Sequence, residues 1–211
     1  MNEKSYKDRV YYFVRDKRRK MVFLHTKYFS KFSFIHINKT GGSSIEHALR
    51  VPLIHEPATI FRNNIGLSRW EQRFSFSIVR NPWDRAVSHF HYRRMTDQTG
   101  LKDSSMTFNE WVKKVYVERC PEYVDDEKMF LTQTDWITDE NGKIIVDYIG
   151  RFEQLDETWA EICKQLNRKE TPLPHVKKSS RKNYRDYYDD ESREIVGNFF
   201  KCDVDNFNYS F

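Results

Sequence analysis

The sequence has few cysteines and no long hydrophobic run, and both scarcities exclude classes of protein. Its three cysteines, Cys120, Cys163 and Cys202, are far apart and form no C-x-x-C pair, so the pattern predicts neither a zinc site nor a disulfide framework. We expect buried free thiols in a reducing compartment. Because the N-terminus is highly charged and no later run has the length of a membrane span, we also expect a cytoplasmic protein without an integral membrane segment.

A strong charge of one sign is also lacking. The chain has 36 basic and 31 acidic residues, which leaves a formal net charge of only +5. This small excess favours anionic ligands but does not indicate binding to nucleic acid. We expect most of the charged side chains to form an ordinary solvated surface.

The sequence does contain many aromatic residues and an alternation of strand and helix patterns. Aromatic residues make up 16% of the 211, which argues against disorder, and the length fits one domain over residues 1–211, with a segment of uncertain role at 1–30. The alternation predicts an α/β fold with a mainly parallel central sheet flanked by helices. The predicted strands lie at 22–24, 32–37, 74–79, 136–138, 143–146 and 148–152, with a hairpin turn at Asn141-Gly142. The predicted helices lie at 44–50, 82–94, 108–117, 156–166 and 190–200.

The first candidate site is the turn in FSFIHINKTGGSSIEHALR, where an apolar strand is followed at once by a helix. Two glycines let backbone N–H groups approach an anion, two serines add hydroxyl donors, and the helix N-terminus adds a partial positive charge. The lysine at the end of the strand adds a full charge. The predicted receptor for a phosphate-like group consists of Lys39, Thr40, Gly41, Gly42, Ser43 and Ser44.

Two other interpretations of this turn stay open. A nucleotide-hydrolysing P-loop has the pattern G-x-x-x-x-G-K-[ST], with the lysine after the glycines, whereas here Lys39 precedes them. The turn could also be a strand-to-helix connection with serine caps and no ligand.

The second candidate site, SIVRNPWDRAVSHFHYRR, repeats the order of strand, cationic residue and helix. Arg80 ends a predicted strand, Pro82 begins the next helix, and Ser88 lies about two turns along that helix. An arginine fork with a hydroxyl is a suitable receptor for a terminal phosphate. The alternative is that Arg80 and Arg85 pair with acids such as Asp84 and support the fold, which is the role we expect for Arg85. Two receptors at two strand ends suggest a ligand with two separated anionic groups.

Both motifs resemble those of sulfotransferases that use 3′-phosphoadenosine 5′-phosphosulfate (PAPS). INKTGGSSIEHAL is similar to the 5′-phosphosulfate loop of these enzymes, and SIVRNPWDRAVSHF to their 3′-phosphate motif. The similarity is greatest to carbohydrate-type Golgi enzymes, the heparan sulfate 2-O-sulfotransferase type included, and to their bacterial relatives. It continues through YIGRFEQLDETWAEIC, LPHVKKSSRKNYRDYYDDESREIV and DVDNFNYSF, and so spans most of the chain from Phe32 onward. At Asn38 such enzymes more often have proline, a difference expected to change the rigidity of the loop rather than its chemistry.

The resemblance implies a P-loop-like sulfotransferase fold and transfer of the sulfuryl group of PAPS to a hydroxyl of a carbohydrate or glycoconjugate acceptor. It assigns Lys39 to the leaving oxygen, residues 40–44 to the phosphosulfate, and Arg80 and Ser88 to the 3′-phosphate. We expect no metal, because the transferred group carries less charge than a phosphoryl group and no carboxylate cluster near the loop is suited to Mg²⁺.

The acceptor hydroxyl also needs a base, for which His55 is the candidate. It lies in the irregular stretch VPLIHEPATIFRNNIG, and related enzymes have a histidine here that is implicated as the base. We expect its pKa below the ordinary value of about 6.5, because the cationic loop disfavours the imidazolium. Glu56 is the fallback. The resemblance also implies that the loop containing HVKKSSRKNYRDYY closes over the cofactor, which makes Lys178 and Ser179 candidate PAPS contacts.

Two other functions fit the same residues. One is a P-loop-type nucleotide kinase, which the position of the lysine and the missing Mg²⁺ carboxylate disfavour. The other is a nucleotide-binding module without catalysis. The sequence does not predict the identity of the acceptor or the oligomeric state.

Overall fold

The computed structural model of the chain describes residues 3–52, 54–174 and 182–211, and a parallel sheet lies at its centre. The strands are β1 (Phe32–Ile35), β2 (Phe74–Val79) and β3 (Tyr148–Arg151), and they lie side by side in chain order. Both neighbouring pairs are parallel. The predicted α/β class with a mainly parallel sheet is therefore confirmed.

Helices flank the sheet and make up most of the connections between its strands. The α-helices of the described ranges are α1 (Glu3–Phe29), α2 (Gly42–Leu49), α3 (Ala58–Ile65), α4 (Leu67–Glu71), α5 (Pro82–Met95), α6 (Phe108–Val112), α7 (Gln133–Ile137), α8 (Leu155–Gln165), α9 (Asp190–Phe199) and α10 (Lys201–Phe207). Helix α6 continues into one π-helical stretch, Lys113–Val117, so the helix predicted at 108–117 is present in two forms.

Helix α5 shows how closely the sequence determines a strand-to-helix junction. The Asn81 side chain accepts a hydrogen bond from the Trp83 N–H at 3.0 Å, and Pro82 takes the first helical position, where no N–H is needed. The helix therefore begins three residues after β2 ends. Because parallel strands share one carboxyl edge, the segments that follow β1, β2 and β3 meet there.

Apolar side chains cover both faces of the sheet. On one face, the rings of Phe34 and Phe76 stack with centroids 4.9 Å apart and share a cluster with Trp159 of α8. On the other face, Ile35 and Val79 belong to a cluster built with α1, α3 and α7. A third cluster lies between α5, α6 and α9. Burial on both faces fits the sequences of β1 and β2, which contain no charged residue and whose serines, Ser33, Ser75 and Ser77, are themselves buried.

The strand predicted at 22–24 is wrong, because these residues belong to α1. Val22 and Phe23 are buried, and the Phe23 ring packs edge-on against Phe61 of α3 with centroids 5.2 Å apart. Leu24 is exposed, as the helical period requires. The three apolar residues fit a strand only if the charged, helix-forming residues around them are ignored.

The strands predicted at 136–138 and 143–146 are also wrong, although the turn between them forms. Gly142 has φ 76°, as this kind of turn requires. The segments on its two sides pair through one isolated antiparallel bridge, between Thr138 and Ile144, and form no strand. The first predicted strand is instead the end of α7, because Thr132 begins a helix there with a capping box.

The three cysteines are all free, but they differ in exposure. Cys163 is buried, Cys120 is half-buried and Cys202 is exposed. The expectation of buried thiols is therefore right for Cys163 and wrong for Cys202. Within the described ranges, no helix combines the length and apolar character needed to cross a membrane.

Candidate active site

The turn between β1 and α2 has an unusual backbone. Lys39 has φ 68°, in the left-handed region that non-glycine residues rarely adopt, and Gly41 has φ 81° at the N-cap of α2. The Thr40 hydroxyl is buried and donates to the carbonyl oxygen of Ile37 at 2.9 Å. This hydroxyl therefore shapes the turn, and the backbone N–H of Thr40 is the group left for an anion.

Neither glycine of the turn has room for a side chain. A Cβ on Gly41 would lie 2.8 Å from Cδ2 of Phe152, which follows β3, and a Cβ on Gly42 would lie 2.2 Å from Cδ2 of His36. The His36 ring is itself held, since its Nδ1 lies 2.8 Å from a carboxylate oxygen of buried Glu46. Two rings thus pack against the backbone of the turn and fix its position.

The N-terminus of α2 offers backbone donors to an anion. Among the described residues no side chain caps it, and its first turn contains no acidic residue. The first N–H groups of a helix have no partner within the helix, and this end carries a partial positive charge. Ser43 and Ser44 lie in this turn and are partly exposed. The predicted cradle therefore has the donors that a phosphate-like group requires.

Arg80 follows β2 and reaches back to this turn. Its Nη1 donates to the carbonyl oxygen of Lys39 at 2.9 Å, and its Nε donates to the Asp84 carboxylate at 2.8 Å. The guanidinium also lies over the Phe152 ring, with Cζ 3.9 Å from the ring centroid. The pair with Asp84 is the structural alternative that the sequence left open. The bond to Lys39 joins the two motifs into one site.

Arg85 makes a second link between the motifs. It is buried and donates twice to Asn38, from Nη2 to the side-chain oxygen at 2.6 Å and from Nε to the carbonyl oxygen at 3.2 Å. Arg85 therefore supports the fold, as expected, but it does so through Asn38 and not through an acid such as Asp84. Asn38, where similar enzymes more often have proline, uses its side chain to hold the turn in place.

One face of α5 lies beside Lys39. Asp84, Ser88 and Tyr92 follow one another at intervals of four residues, which places them on the same side of the helix. Asp84 pairs with Arg80, and the Lys39 ammonium lies 4.0 Å from the centroid of the Tyr92 ring. Ser88 is partly exposed between these two positions. The structure therefore brings Lys39, Arg80 and Ser88 to one helix face.

Gln133, which the sequence analysis did not single out, holds the backbone of Arg80 and is itself held by Asp203. Gln133 accepts from the Arg80 N–H through Oε1 and donates to its carbonyl through Nε2, both at 2.8 Å. Asp203 accepts from the N–H groups of Gln133 and Thr134, also at 2.8 Å. Burial raises the pKa of Asp203, and the hydrogen bonds to its carboxylate oppose that shift. The sequence gives no signal for these contacts, because they join elements far apart in the chain.

His55 lies next to His36. Its Nδ1–H donates to the carbonyl oxygen of His36 at 2.9 Å, and the two ring centroids are 4.3 Å apart. Because a carbonyl can only accept, this bond places the proton on Nδ1 and leaves the Nε2 lone pair as the basic site. Burial, followed by the charge of neighbouring His36, lowers the pKa of His55 to about 4. The expected direction is right, but the main cause is burial rather than the cationic loop.

Glu56, the fallback base, is held by two cations. Its Oε1 lies 3.0 Å from Arg19 Nε of α1 and 3.0 Å from Lys128 Nζ. Glu56 is therefore engaged in ion pairs with α1 and with Lys128, whereas the Nε2 of His55 is left over by the bond to the His36 carbonyl.

The remaining predicted contacts cannot be placed. Lys178 and Ser179 lie outside the described residues, so their contact with a nucleotide stays a prediction. Within the described part of the chain, no group of three or more His, Cys, Asp or Glu side chains is arranged to hold a metal ion.

Comparison with known proteins shows the family and the fold of this chain. An uncharacterised protein of Archaeoglobus fulgidus is 30% identical over 132 residues, which are 61% of this chain and 97% of that protein. The crystal structure of a sulfotransferase from Alicyclobacillus acidocaldarius matches the fold with a TM-score of 0.50 and 14% identity, over 84% of this chain and 94% of that one. The predicted sulfotransferase fold is thereby confirmed. Since the sequence profile described as the sulfotransferase family matches residues 20–210, nearly the whole length, this chain belongs to the sulfotransferase family, whose chemistry is sulfuryl transfer.

Proposed function

We propose that this sulfotransferase takes the sulfuryl group from PAPS and transfers it to a hydroxyl of a carbohydrate or glycoconjugate. Membership of the family supports sulfuryl transfer in general. The choice of PAPS rests on two predicted anion receptors whose motifs, and their order along the chain, resemble those of PAPS-dependent enzymes. The choice of acceptor rests on the greater likeness of these motifs to the carbohydrate-type enzymes.

One observation carries the proposal, namely the hydrogen bonds that join the two predicted receptors. The bonds from Arg80 to the carbonyl oxygen of Lys39 and from Arg85 to Asn38 join segments 41 and 47 residues apart. A nucleotide with anionic groups at both its 5′ and 3′ positions needs two such receptors side by side. ATP and AMP have no 3′-phosphate and would leave one of them unused.

Each receptor has a distinct part in this proposal. The backbone N–H groups of Thr40 to Ser43 and the hydroxyls of Ser43 and Ser44 hold the phosphosulfate at the N-terminus of α2. Arg80 and Ser88 hold the 3′-phosphate beside α5, where the phosphate replaces Asp84 as a partner of the guanidinium. Lys178 and Ser179, which follow α8 in the sequence, are expected to add contacts with the nucleotide. PAPS supplies the activated sulfuryl group.

The transfer itself is an in-line displacement. A bond forms between the acceptor oxygen and sulfur, the bond from sulfur to the bridging oxygen breaks, and the negative charge passes to the leaving 5′-phosphate. Lys39 stabilises that charge, and the flexible stem of its side chain allows the ammonium to leave the Tyr92 ring and contact the phosphate. The proton of the acceptor hydroxyl goes to Nε2 of His55, the ring nitrogen left free by the bond to the His36 carbonyl.

Turnover of PAPS in the presence of candidate acceptors tests the proposal. Purified protein is incubated with PAPS and, in turn, with oligosaccharides, glycolipids and simple phenols, and the formation of 3′-phosphoadenosine 5′-phosphate (PAP) is followed by chromatography. We expect PAP and a sulfated sugar to appear together when a carbohydrate is present. Preference for phenols would contradict the acceptor class. Tight binding of PAP without turnover of any acceptor would identify a binding module, and phosphate transfer from ATP would identify a kinase.

A further inference from the structure

The outward side of α1 exposes a row of large apolar side chains. We call this the outer face of α1, and it consists of Phe13, Val14, Met21, Leu24 and Tyr28, all of them more than half exposed. Among the exposed large apolar side chains of the described residues, six lie on α1 and four are spread over the rest. Scattered exposed apolar residues are normal, but a concentration on one element indicates a binding surface.

The helical period places these residues together. With about 100° of rotation per residue, the five fall within roughly 100° of the helix circumference. The packed side of the helix is opposite and carries Val22, Phe23 and Thr26, which are buried. The helix is thus amphipathic in an unusual sense, since it has one apolar side turned to the core and another turned to solvent.

Contacts with the rest of the fold keep the outer face turned outward. Phe23 packs against Phe61, Arg19 pairs with Glu56 at 3.0 Å, and Arg73 donates to the carbonyl oxygen of Lys27 at 2.7 Å. These contacts fix the rotation of α1 about its own axis. The outer face therefore stays exposed unless a partner covers it.

The charge of this helix indicates what kind of partner fits. Helix α1 contains nine lysine and arginine residues and three acidic residues. One of the acidic residues, Asp16, pairs with Lys20 of the same helix at 2.7 Å. Lys17 lies within the outer face, and its ammonium is 4.4 Å from the centroid of the Phe13 ring. Long basic side chains of this kind can lay their stems on an apolar surface and direct their charges to its rim.

We propose that the outer face of α1 binds the surface of an anionic lipid bilayer, with the helix lying flat at the interface. Such a surface binds helices whose apolar side chains are flanked by lysine and arginine. The apolar side chains insert into the acyl region, and the anionic headgroups attract the basic side chains. A second copy of the chain fits less well. Paired α1 helices would bring like charges together, because the helix has nine lysine and arginine residues against three acidic residues.

Vesicle co-sedimentation of the full chain tests this proposal. Vesicles of phosphatidylcholine alone are compared with vesicles that contain about one third phosphatidylserine, at low and high salt. We expect the anionic vesicles to bind the protein at least about tenfold more tightly, with weaker binding at high salt. Met21→Glu should lower this binding about tenfold, because it places a carboxylate where the helix meets the lipid.

Met95 provides a matched control. It is exposed to 69%, as is Met21, but lies at the end of α5, so Met95→Glu makes the same change of charge and size away from the outer face. Circular dichroism shows whether both variants fold. Equal losses for the two variants, or no preference for anionic vesicles, would overturn the proposal. So would a dimer in sedimentation velocity that Met21→Glu dissociates, because a second copy would then cover the face.

Discussion

Lys39 combines a backbone in the left-handed region with a charged side chain on a flexible stem. Its φ of 68° is supported by the Arg80 bond to its carbonyl oxygen, while its ammonium is held by the Tyr92 ring. A residue is kept in the left-handed region only where the surrounding structure enforces it. This fits a side chain that has to be aimed at one place, the leaving oxygen of the donor.

Lys39→Ala should therefore lower kcat by about 10²–10³-fold, the usual effect of losing one electrostatic contact in a transition state. Steady-state kinetics and circular dichroism check the rate and the fold together. Lys114→Ala is the control, since that exposed lysine pairs with Glu118 on the surface. A variant with normal kcat would remove Lys39 from its proposed role.

As the proposed base, His55 should determine how the rate depends on pH. A base has to be neutral, and the pKa of His55 is lowered to about 4 by burial, so the rate should rise with pH through about 4 and be independent of this group above about 5. A base of such low pKa contributes modestly, and we expect His55→Ala to lose about 10²-fold in kcat together with this limb of the profile. Nucleotide affinity should not change. A pH–rate profile and a nucleotide titration of both proteins check these points.

The lowered pKa of His55 also affects the stability of the folded chain, so stability has to be measured together with the rate. The unfolded chain takes up a proton at His55 at its ordinary pKa of about 6.5, whereas the folded chain does so only near 4, so stability is lost as the pH falls between these values. Thermal unfolding at each pH separates this loss from titration of the base. If His55→Ala keeps the acid limb and the rate, another residue is the base. If it instead loses nucleotide affinity and keeps kcat, His55 belongs to the nucleotide site.

At the level of elements, the junction between β2 and α5 depends on α7. Gln133→Leu would leave the buried N–H and carbonyl groups of Arg80 without partners, at a cost of about 2–3 kcal/mol in the free energy of unfolding. Chemical denaturation measures this cost. Gln165→Leu changes an exposed residue bonded to Glu161 and should stay within about 0.5 kcal/mol of the wild type. Equal effects of the two changes would contradict the positioning role of Gln133.

The elements that the sequence predicted well are those with local signals at their ends. β2 is found at the predicted residues, and α5 begins at the predicted Pro82 because Asn81 and the proline determine its start. Helix α1 was missed, and the strand at 22–24 was predicted in its place, because its two apolar sides hide the usual helical period. Helix α7 was missed because Trp136 is a bulky aromatic residue of the kind enriched in strands, and it is followed by the turn at Asn141-Gly142. The Trp136 side chain is buried in the fold as part of a helix.

At the level of the whole molecule, the sequence predicted the two receptors but not the bonds between them. The glycines, serines and Arg80 stand out because each follows a strand. The bonds of Arg85 to Asn38 and of Gln133 to Arg80 join distant segments, and no local pattern records them. Burial of His55 is likewise a property of the folded chain. For this reason the sequence predicted that its pKa is lowered but indicated the wrong main cause.

Calorimetric titration with PAP and AMP tests most directly the central claim that the two motifs form one site for a 3′-phosphorylated nucleotide. We expect PAP to bind the wild type more tightly than AMP. Arg80→Ala should lower the affinity for PAP by about 10–10²-fold, because charge-assisted hydrogen bonds to a phosphate contribute about 1.5–3 kcal/mol. The affinity for AMP, which lacks the 3′-phosphate, should fall by less than about twofold. Ser88→Ala should act in the same direction with a smaller effect, and Arg62→Ala, which removes a surface pair with Glu140, should change neither affinity. Equal affinity of the wild type for PAP and AMP, or equal losses of both in Arg80→Ala, would contradict the account.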